Sequence, residues 1–356
     1  MRKEKYIAAV LLIIILLITS TFAKEEFVIK YGHVALADPF KQSSPAYALV
    51  FKTQLEKLSG GRIRVDIYPN GQLGNLRSLV QQVRKGTIQI ADISSGIMAS
   101  LYYPKLEILD TPYLFSSRAA ARMALDNDNP FIRDMIEDCT KKTGIRILSL
   151  APFGFRHMTN SLRPIKTPDD MKGMKIRTME IVPHMKLMES FGANAVPIPW
   201  VELYSSLQTK VVDGEETTLQ NVVMGNLFEV QKHLTMTQHL MGVGAFICND
   251  KWYQSLPADL KKVFTEAEKT ARLTYDGVGE LLDTVAMQTL QQKQMEIYIP
   301  TPKQLKAFKA KALPEIKKYM EKKYGSKFVG EFLSTVQQAQ EKLTKETEST
   351  ISPKKN

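Results

Sequence analysis

The segment RIRVDIYP (62–69) alternates cleanly, with Ile63, Val65 and Ile67 on one side and Arg62, Arg64 and Asp66 on the other. That period of two predicts a strand. FVIKYGHVA (27–35) reads as an earlier strand that runs into a loop through Asp38-Pro39. Between them, Tyr47, Val50, Phe51, Leu55 and Leu58 recur at helical spacing until Ser59-Gly60-Gly61 breaks the pattern. After an Asn70-Gly71 turn, Leu76, Leu79, Val80 and Val83 repeat at i, i+3, i+4 and i+7 as far as Gly86, and IQIADIS (88–94) follows as a strand. Strand, helix and strand in this rhythm predict βαβ units with parallel neighbours.

Further strands are expected at IRILSL (145–150) and MKIRTM (174–179), with helical patterns between them. A helical stretch from Pro257 to Gln292 is longer than an ordinary globular helix, so it is expected to run across a domain boundary. Residues 346–356 are polar and are expected to form a flexible tail. The class is therefore α/β.

The N-terminus changes the picture of where this chain works. Arg2, Lys3 and Lys5 precede an apolar run from Ile7 to Ile18, and Thr21-Phe22-Ala23 offers a small-x-small cleavage site. This is the pattern of a secretory signal peptide (1–23), and the apolar run falls short of the ~20 residues that span a bilayer. The remaining chain is long enough for two domains. Much of the full sequence's net charge of +11 lies in C-terminal helical patterns such as IKKYMEKKYGSK (316–327), where glutamate interrupts the lysines. That reads as solvated helix surface, and no motif or aromatic platform for nucleic acid accompanies it. The two cysteines, Cys139 and Cys248, suit either a single bridge or two buried thiols.

Little in the sequence asks for catalysis. The five histidines show no zinc spacing, and there is no GxSxG, P-loop or dinucleotide fingerprint. Arg177 is different. It lies near the carboxyl end of the strand MKIRTM, where ligands of open α/β sheets bind. A cation there is costly to bury without a partner, and guanidinium presents a planar fork matched to carboxylate. Position alone leaves two readings, a ligand's carboxylate or an internal ion pair with Glu180. Arg156 follows a Phe-Gly turn after another strand and is open to ligand or surface roles. Trp200 suits a ligand stack or the core, and Thr217 and Thr218 suit ligand contact or a helix cap.

Several segments, taken in order, resemble the substrate-binding subunits of TRAP transporters, the DctP-type extracytoplasmic solute receptors. They are YPNGQLGNLRSLVQQVRKGTIQIADIS (68–94), YPKLEILDTPYLF (103–115), GFRHMTNSLRPIKTPDDMKGMKIRT (154–178), GANAVPIPWVELYSSLQTKVVDGEE (192–216) and LPADLKKVF (256–264). The resemblance implies a two-domain periplasmic-binding-protein-like fold with a ligand cleft between domains and a long helix spanning both. Domain I is expected at 24–153 with 243–282 returning to it, and domain II at 154–242 with 283–345 packed on it.

In that family Arg177 matches the principal carboxylate-binding arginine, Arg156 a second arginine of the site, and Trp200 an aromatic position at the cleft. Thr217 falls where many members carry an asparagine, while Ser94 and Ser95 fall on a cleft loop. Val34, Ala35 and Leu36 make the first cleft loop apolar, which favours a monocarboxylate with a hydrophobic portion. Glu180 could tune Arg177 or help hold a cation bridging to ligand; no metal site or other cofactor is expected.

The expected function is extracytoplasmic capture of a small organic acid by a monomer that delivers it to a TRAP membrane permease. An exported docking module for a protein partner, or an exported hydrolase or lyase, are the rivals.

Overall fold

The structure, a computed structural model, describes residues 27–351. The signal-peptide reading concerns residues 1–23, which lie outside that range. Nine strands form one mixed sheet: β1 (Phe27–Gly32), β2 (Ile63–Tyr68), β3 (Ile90–Ser94), β4 (Ile145–Asn160), β5 (Lys175–Thr178), β6 (Asn194–Pro197), β7 (Gly214–Thr218), β8 (His233–Asn249) and β9 (Glu296–Tyr298). The path runs β2-β1-β3-β8-β4-β7-β5-β6, with β9 alongside β8. Twelve α-helices accompany it among the described residues: α1 (Ser43–Leu58), α2 (Leu76–Lys85), α3 (Ser95–Leu101), α4 (Arg118–Ala124), α5 (Pro130–Thr143), α6 (Val182–Ser190), α7 (Leu203–Gln208), α8 (Leu219–Met224), α9 (Asp250–Ser255), α10 (Ala258–Gln292), α11 (Pro302–Tyr324) and α12 (Ser326–Ile351).

Two βα lobes hang from a shared spine. In the first, β1 pairs in parallel with β2 and β3, and in the second β5 pairs in parallel with β6 and β7. β4 and β8 pair antiparallel with one another along nearly their whole length, and each also carries an outer strand. The pattern that predicted a strand ending near Leu150 is thus extended. Pro152 and Gly154 are absorbed by a register shift, one of three in this ladder, and the strand continues to Asn160. A bulge admits Pro and Gly while bending the strand, so the break signal marks the passage between lobes and not the strand's end.

Local signals behave as their chemistry requires. Asn75 caps α2 by accepting from the Ser78 amide at 3.0 Å, and Gly86 closes it at φ 78°. On α1, Tyr47, Phe51 and Leu55 are buried, but Leu58 is 47% exposed and drops out of the predicted stripe. Tyr47 stacks on Phe246 at 3.7 Å and Phe51 meets Phe264 edge-on at 5.2 Å, fixing α10 against the first lobe.

The long helix does cross between lobes. Leu260, Phe264, Ala267, Ala271 and Tyr275 pack in the first lobe's core, whereas Ala286 and Leu290 pack with Val222 and Leu234 of the second. At the crossing, the buried Arg118 donates to the Pro152 carbonyl at 2.6 Å and to Asp283 at 2.5 Å.

Two C-terminal expectations are corrected. α12 does not pack on the second lobe: it lies on α4, and its Phe328 and Phe332 meet Phe131 of α5 at 5.3 and 5.5 Å. Of the expected tail 346–356, the part up to Ile351 continues as helix, supported by spaced pairs such as Lys342–Glu346, and residues 352–356 lie outside the described range. Cys139 and Cys248 are separate buried thiols. No helix among the described residues is long and apolar enough to cross a membrane.

Candidate ligand cleft

A cavity of about 100 Å³ lies between the lobes. The first lobe contributes His33, Val34 and Ala35 after β1, Gln42 to Ser44 at the start of α1, Leu76, and Asp92 and Ser94 of β3. The second contributes Arg177 and Met179 at the end of β5, Trp200, Thr217 and Thr218 of β7, and Gln220, Asn221 and Met224 of α8. Phe153, Arg156, Gly244 and Tyr275 come from the elements that cross. The lobes touch at the rim, where Gln42 donates to Asn221 at 3.1 Å and Ser43 to Gln220 at 3.3 Å.

Arg177 is 2% exposed, and its Nε donates to the Ile198 carbonyl at 2.8 Å. Among the described residues no carboxylate lies within ion-pair distance of it. Burial pulls its pKa down to about 10, with Arg156 adding to the effect against Glu215, Glu216 and Glu180. The anchored Nε fixes the fork and leaves its terminal nitrogens to the cavity. The internal partner considered for it, Glu180, turns away: its carboxylate faces Arg77 of α2 at 3.8 Å and borders a smaller side cavity. Glu180 is therefore not on the main cavity, since it sits beyond Met179 where the chain leaves the strand.

Arg156 is committed to the protein. Nε meets Glu216 at 2.5 Å, Nη2 meets the same carboxylate at 2.9 Å, and Nη2 also bonds the Glu216 carbonyl. Burial alone would raise the carboxyl, but Arg156 and His184 hold Glu216 well below the usual range. His184 bridges Glu216 and Asp110 at 3.0 Å each, and His239 approaches Glu216 at 3.2 Å. Arg156 thus lines the cavity with its charge largely compensated, so its contribution to an anionic ligand is smaller than that of Arg177.

Val34 and Trp200 lie on the cavity wall as expected, but Leu36 is 39% exposed, outside it. Ser94 faces the cavity. Ser95, one position on and the first residue of α3, is fully buried away from the cavity lining. Thr217 accepts from the Asn221 side-chain amide at 3.0 Å, while Thr218 caps α8.

Asn221, on the first turns of α8, brings a side-chain amide to the cavity beside Thr217, and sequence reasoning missed it. Its i+4 spacing from Thr217 was the available signal. Asp92, His33, Gln42 and Tyr275 were missed as well. Of these, Asp92 alone had a sequence cue, sharing a face with Ser94 in IADIS as an acid within a buried strand. Burial lowers His33 to about 4, against a backbone hydrogen bond with Ala35, so the imidazole is neutral. Burial raises Asp92 to about 7, against a hydrogen bond from Ser44. Among the described residues no cluster of three or more metal-ligating side chains occurs.

Comparison with known proteins fits this geometry. A solute-binding protein of Verminephrobacter eiseniae is 36% identical over 219 residues, covering 62% of this chain and 64% of that protein. The 2,3-diketo-L-gulonate-binding periplasmic protein YiaO of Escherichia coli is 31% identical over 221 residues, 62% of this chain and 66% of YiaO. Both alignments span just under two thirds of the relative. The sugar acid binding protein DctPAm of Advenella mimigardefordensis, solved with galactonate, superposes with a TM-score of 0.82 at 27% identity, covering 88% of this chain and 98% of that one. The family model for bacterial extracellular solute-binding protein, family 7, matches residues 34–323, and the chain belongs to that family.

Proposed function

We propose that this chain is the extracytoplasmic receptor of a TRAP-type transporter, exported by its N-terminal leader, which captures a small organic acid and delivers it to the membrane permease. Arg177 carries the reading: it is buried, held through one nitrogen, and faces the interlobe cavity without a protein carboxylate. A ligand carboxylate would complete that fork bidentately. Arg156 adds a weaker field, and Trp200, Val34 and Met179 cover the ligand body. Closure of the lobes strengthens the ion pair by excluding water. The reading needs no resident cofactor, no bridging cation and no second subunit, and it involves no chemistry on the ligand. Relatives whose names record diketogulonate or galactonate support an acid as cargo.

Thermal denaturation tests it. Arg177→Ala should fold and keep its secondary structure, yet lose the rise in melting temperature that a bound acid gives the wild type, with affinity down about 100-fold or more. Undiminished affinity for the acid in that variant would overturn the carboxylate clamp.

A further inference from the structure

The lobe opposite to the one that carries Arg177 contributes an acidic side chain to the same cavity. Asp92 is the only acidic residue on the cavity lining among the described residues, and it comes from β3 of the first lobe, whereas Arg177 comes from β5 of the second. It is 8% exposed and takes part in no ion pair; the one group that hydrogen-bonds it is Ser44, itself on the cavity. Glu216, Glu107 and Asp276 are ion-paired in place, by Arg156, Lys323 and Arg272. Glu215 is, like Asp92, buried without an ion pair, but it takes a hydrogen bond from Thr159 at 2.7 Å and lies off the cavity lining, so Asp92 is the one such carboxyl that a ligand reaches among the described residues. A buried carboxyl without such a partner is costly unless something else donates to it.

We propose that Asp92 is the specificity-determining residue of the cleft, accepting a hydrogen bond from a hydroxyl of the ligand at the end away from the carboxylate. The cargo is then a hydroxylated monocarboxylate, and not a plain alkanoate or a dicarboxylate. A second carboxylate would put two acidic groups together in a low-dielectric site where burial already disfavours one negative charge, while a methyl group would leave the carboxyl with Ser44 as its one donor. The surroundings favour a neutral donor over an ammonium. Ser44, Ser94 and Tyr275 present hydroxyls, His33 is neutral, and burial resists full ionisation of the carboxyl. The inference adds a polar contact to the apolar ligand body that Val34 and Ala35 suggested. It rests on Arg177 holding the carboxylate.

The test uses three acids that differ at one end only: pantoate (distal hydroxymethyl), 2-hydroxy-3,3-dimethylbutanoate (distal methyl) and 3,3-dimethylmalate (distal carboxylate). They are titrated calorimetrically into the wild type, Asp92→Ala and Asp92→Asn. The wild type should prefer the hydroxymethyl acid by about 10- to 100-fold over the other two. Asp92→Ala should erase that preference, lowering affinity for the hydroxymethyl acid and raising it for the methyl acid. Asp92→Asn, which keeps the side-chain volume, should gain affinity for the dicarboxylate. Comparing ligands within one variant separates recognition from any change in folding. A wild-type preference for the methyl acid or the dicarboxylate, or an equal loss for all three acids in Asp92→Ala, would overturn the role of Asp92 and leave the receptor reading standing. Binding of none of the three, nor of succinate or galactonate, would sink both.

Discussion

The two arginines of the cleft are similar in burial and opposite in use. Arg156 forms a bidentate pair with Glu216 inside a network that includes His184, His239 and Asp110, while Arg177 is held only by a backbone carbonyl. A pair removed on one side leaves an uncompensated buried charge, which typically costs about 3–5 kcal/mol. Asp92 shows the converse, a functional group held at a cost to the empty protein. Its folded pKa of about 7 exceeds the ordinary carboxylate value, so the folded state keeps a proton that the unfolded chain has lost. Below the unfolded pKa both states are protonated and there is no cost. The cost accrues as pH rises towards 7 and is then complete. The groups facing Asp92 add no cation: they are Ser44 and Tyr47 of α1, Tyr31 of β1, and Tyr275 of α10. Asp92→Asn is therefore expected to stabilise the ligand-free protein by ~1–4 kcal/mol at pH 8 and to be neutral near pH 3.5, measured by urea unfolding at both pH values. Equal effects at the two would contradict this account.

At the scale of elements, β7 sets the cleft because it carries Glu215, Glu216, Thr217 and Thr218 in one fully buried strand that ends in the cap of α8. It can lie close to β4 only because it starts with glycine. A Cβ on Gly214 would sit 2.2 Å from the Thr159 carbonyl and 2.7 Å from the Asn160 Cβ. Gly214→Ala must displace backbone, so a loss of about 2–4 kcal/mol is expected, together with weakened ligand binding as Thr217 and Asn221 move. Chemical denaturation and titration on the same variant would check both. Much of this level was legible. The strand alternation at 62–69, the capped helix 76–85 and the long helix from 258 all follow local periodicity, and each formed as predicted. Leu76 is the instructive exception: it continues the helix's apolar stripe yet borders the cavity, because periodicity identifies a buried side and not what covers it.

At the scale of the molecule, β4, β8 and α10 all run from one lobe to the other, so relative motion of the lobes must be absorbed in these elements. The bulges of the β4–β8 ladder around Pro152–Gly154 and Arg156–Met158 are suited to that, and they carry Phe153 and Arg156 into the cavity. The lobes meet closely. A Cβ on Gly96 of the first lobe would lie 2.5 Å from Ile181 Cδ1 of the second and 2.6 Å from Asp110 Oδ2. Gly96→Leu should therefore hold the cleft open, lowering ligand affinity about tenfold or more while leaving each lobe folded. Small-angle scattering with saturating acid would show the wild type compacting and the variant failing to do so; identical profiles would exclude Gly96 as a closure contact.

The amino-acid order by itself determined β1, β2, β3 and β5 and the helices with a clean stripe, because their signals are local, periods of two and 3.6; β6 to β9 and the second half of β4 were not legible. It also singled out Arg177, since a lone cation at a strand end is conspicuous in any fold. What it could not determine was pairing across lobes. Glu216 and Arg156 are sixty positions apart, Asp92 and Arg177 eighty-five, and no local rule says which of two arginines keeps its charge for a ligand. Only the tertiary structure decided that. It set Glu216 against Arg156, turned Glu180 towards Arg77, joined Asn221 to Thr217, and brought Asp92 and Arg177 to one cavity, because long-range contacts and desolvation exist only once the lobes have packed together.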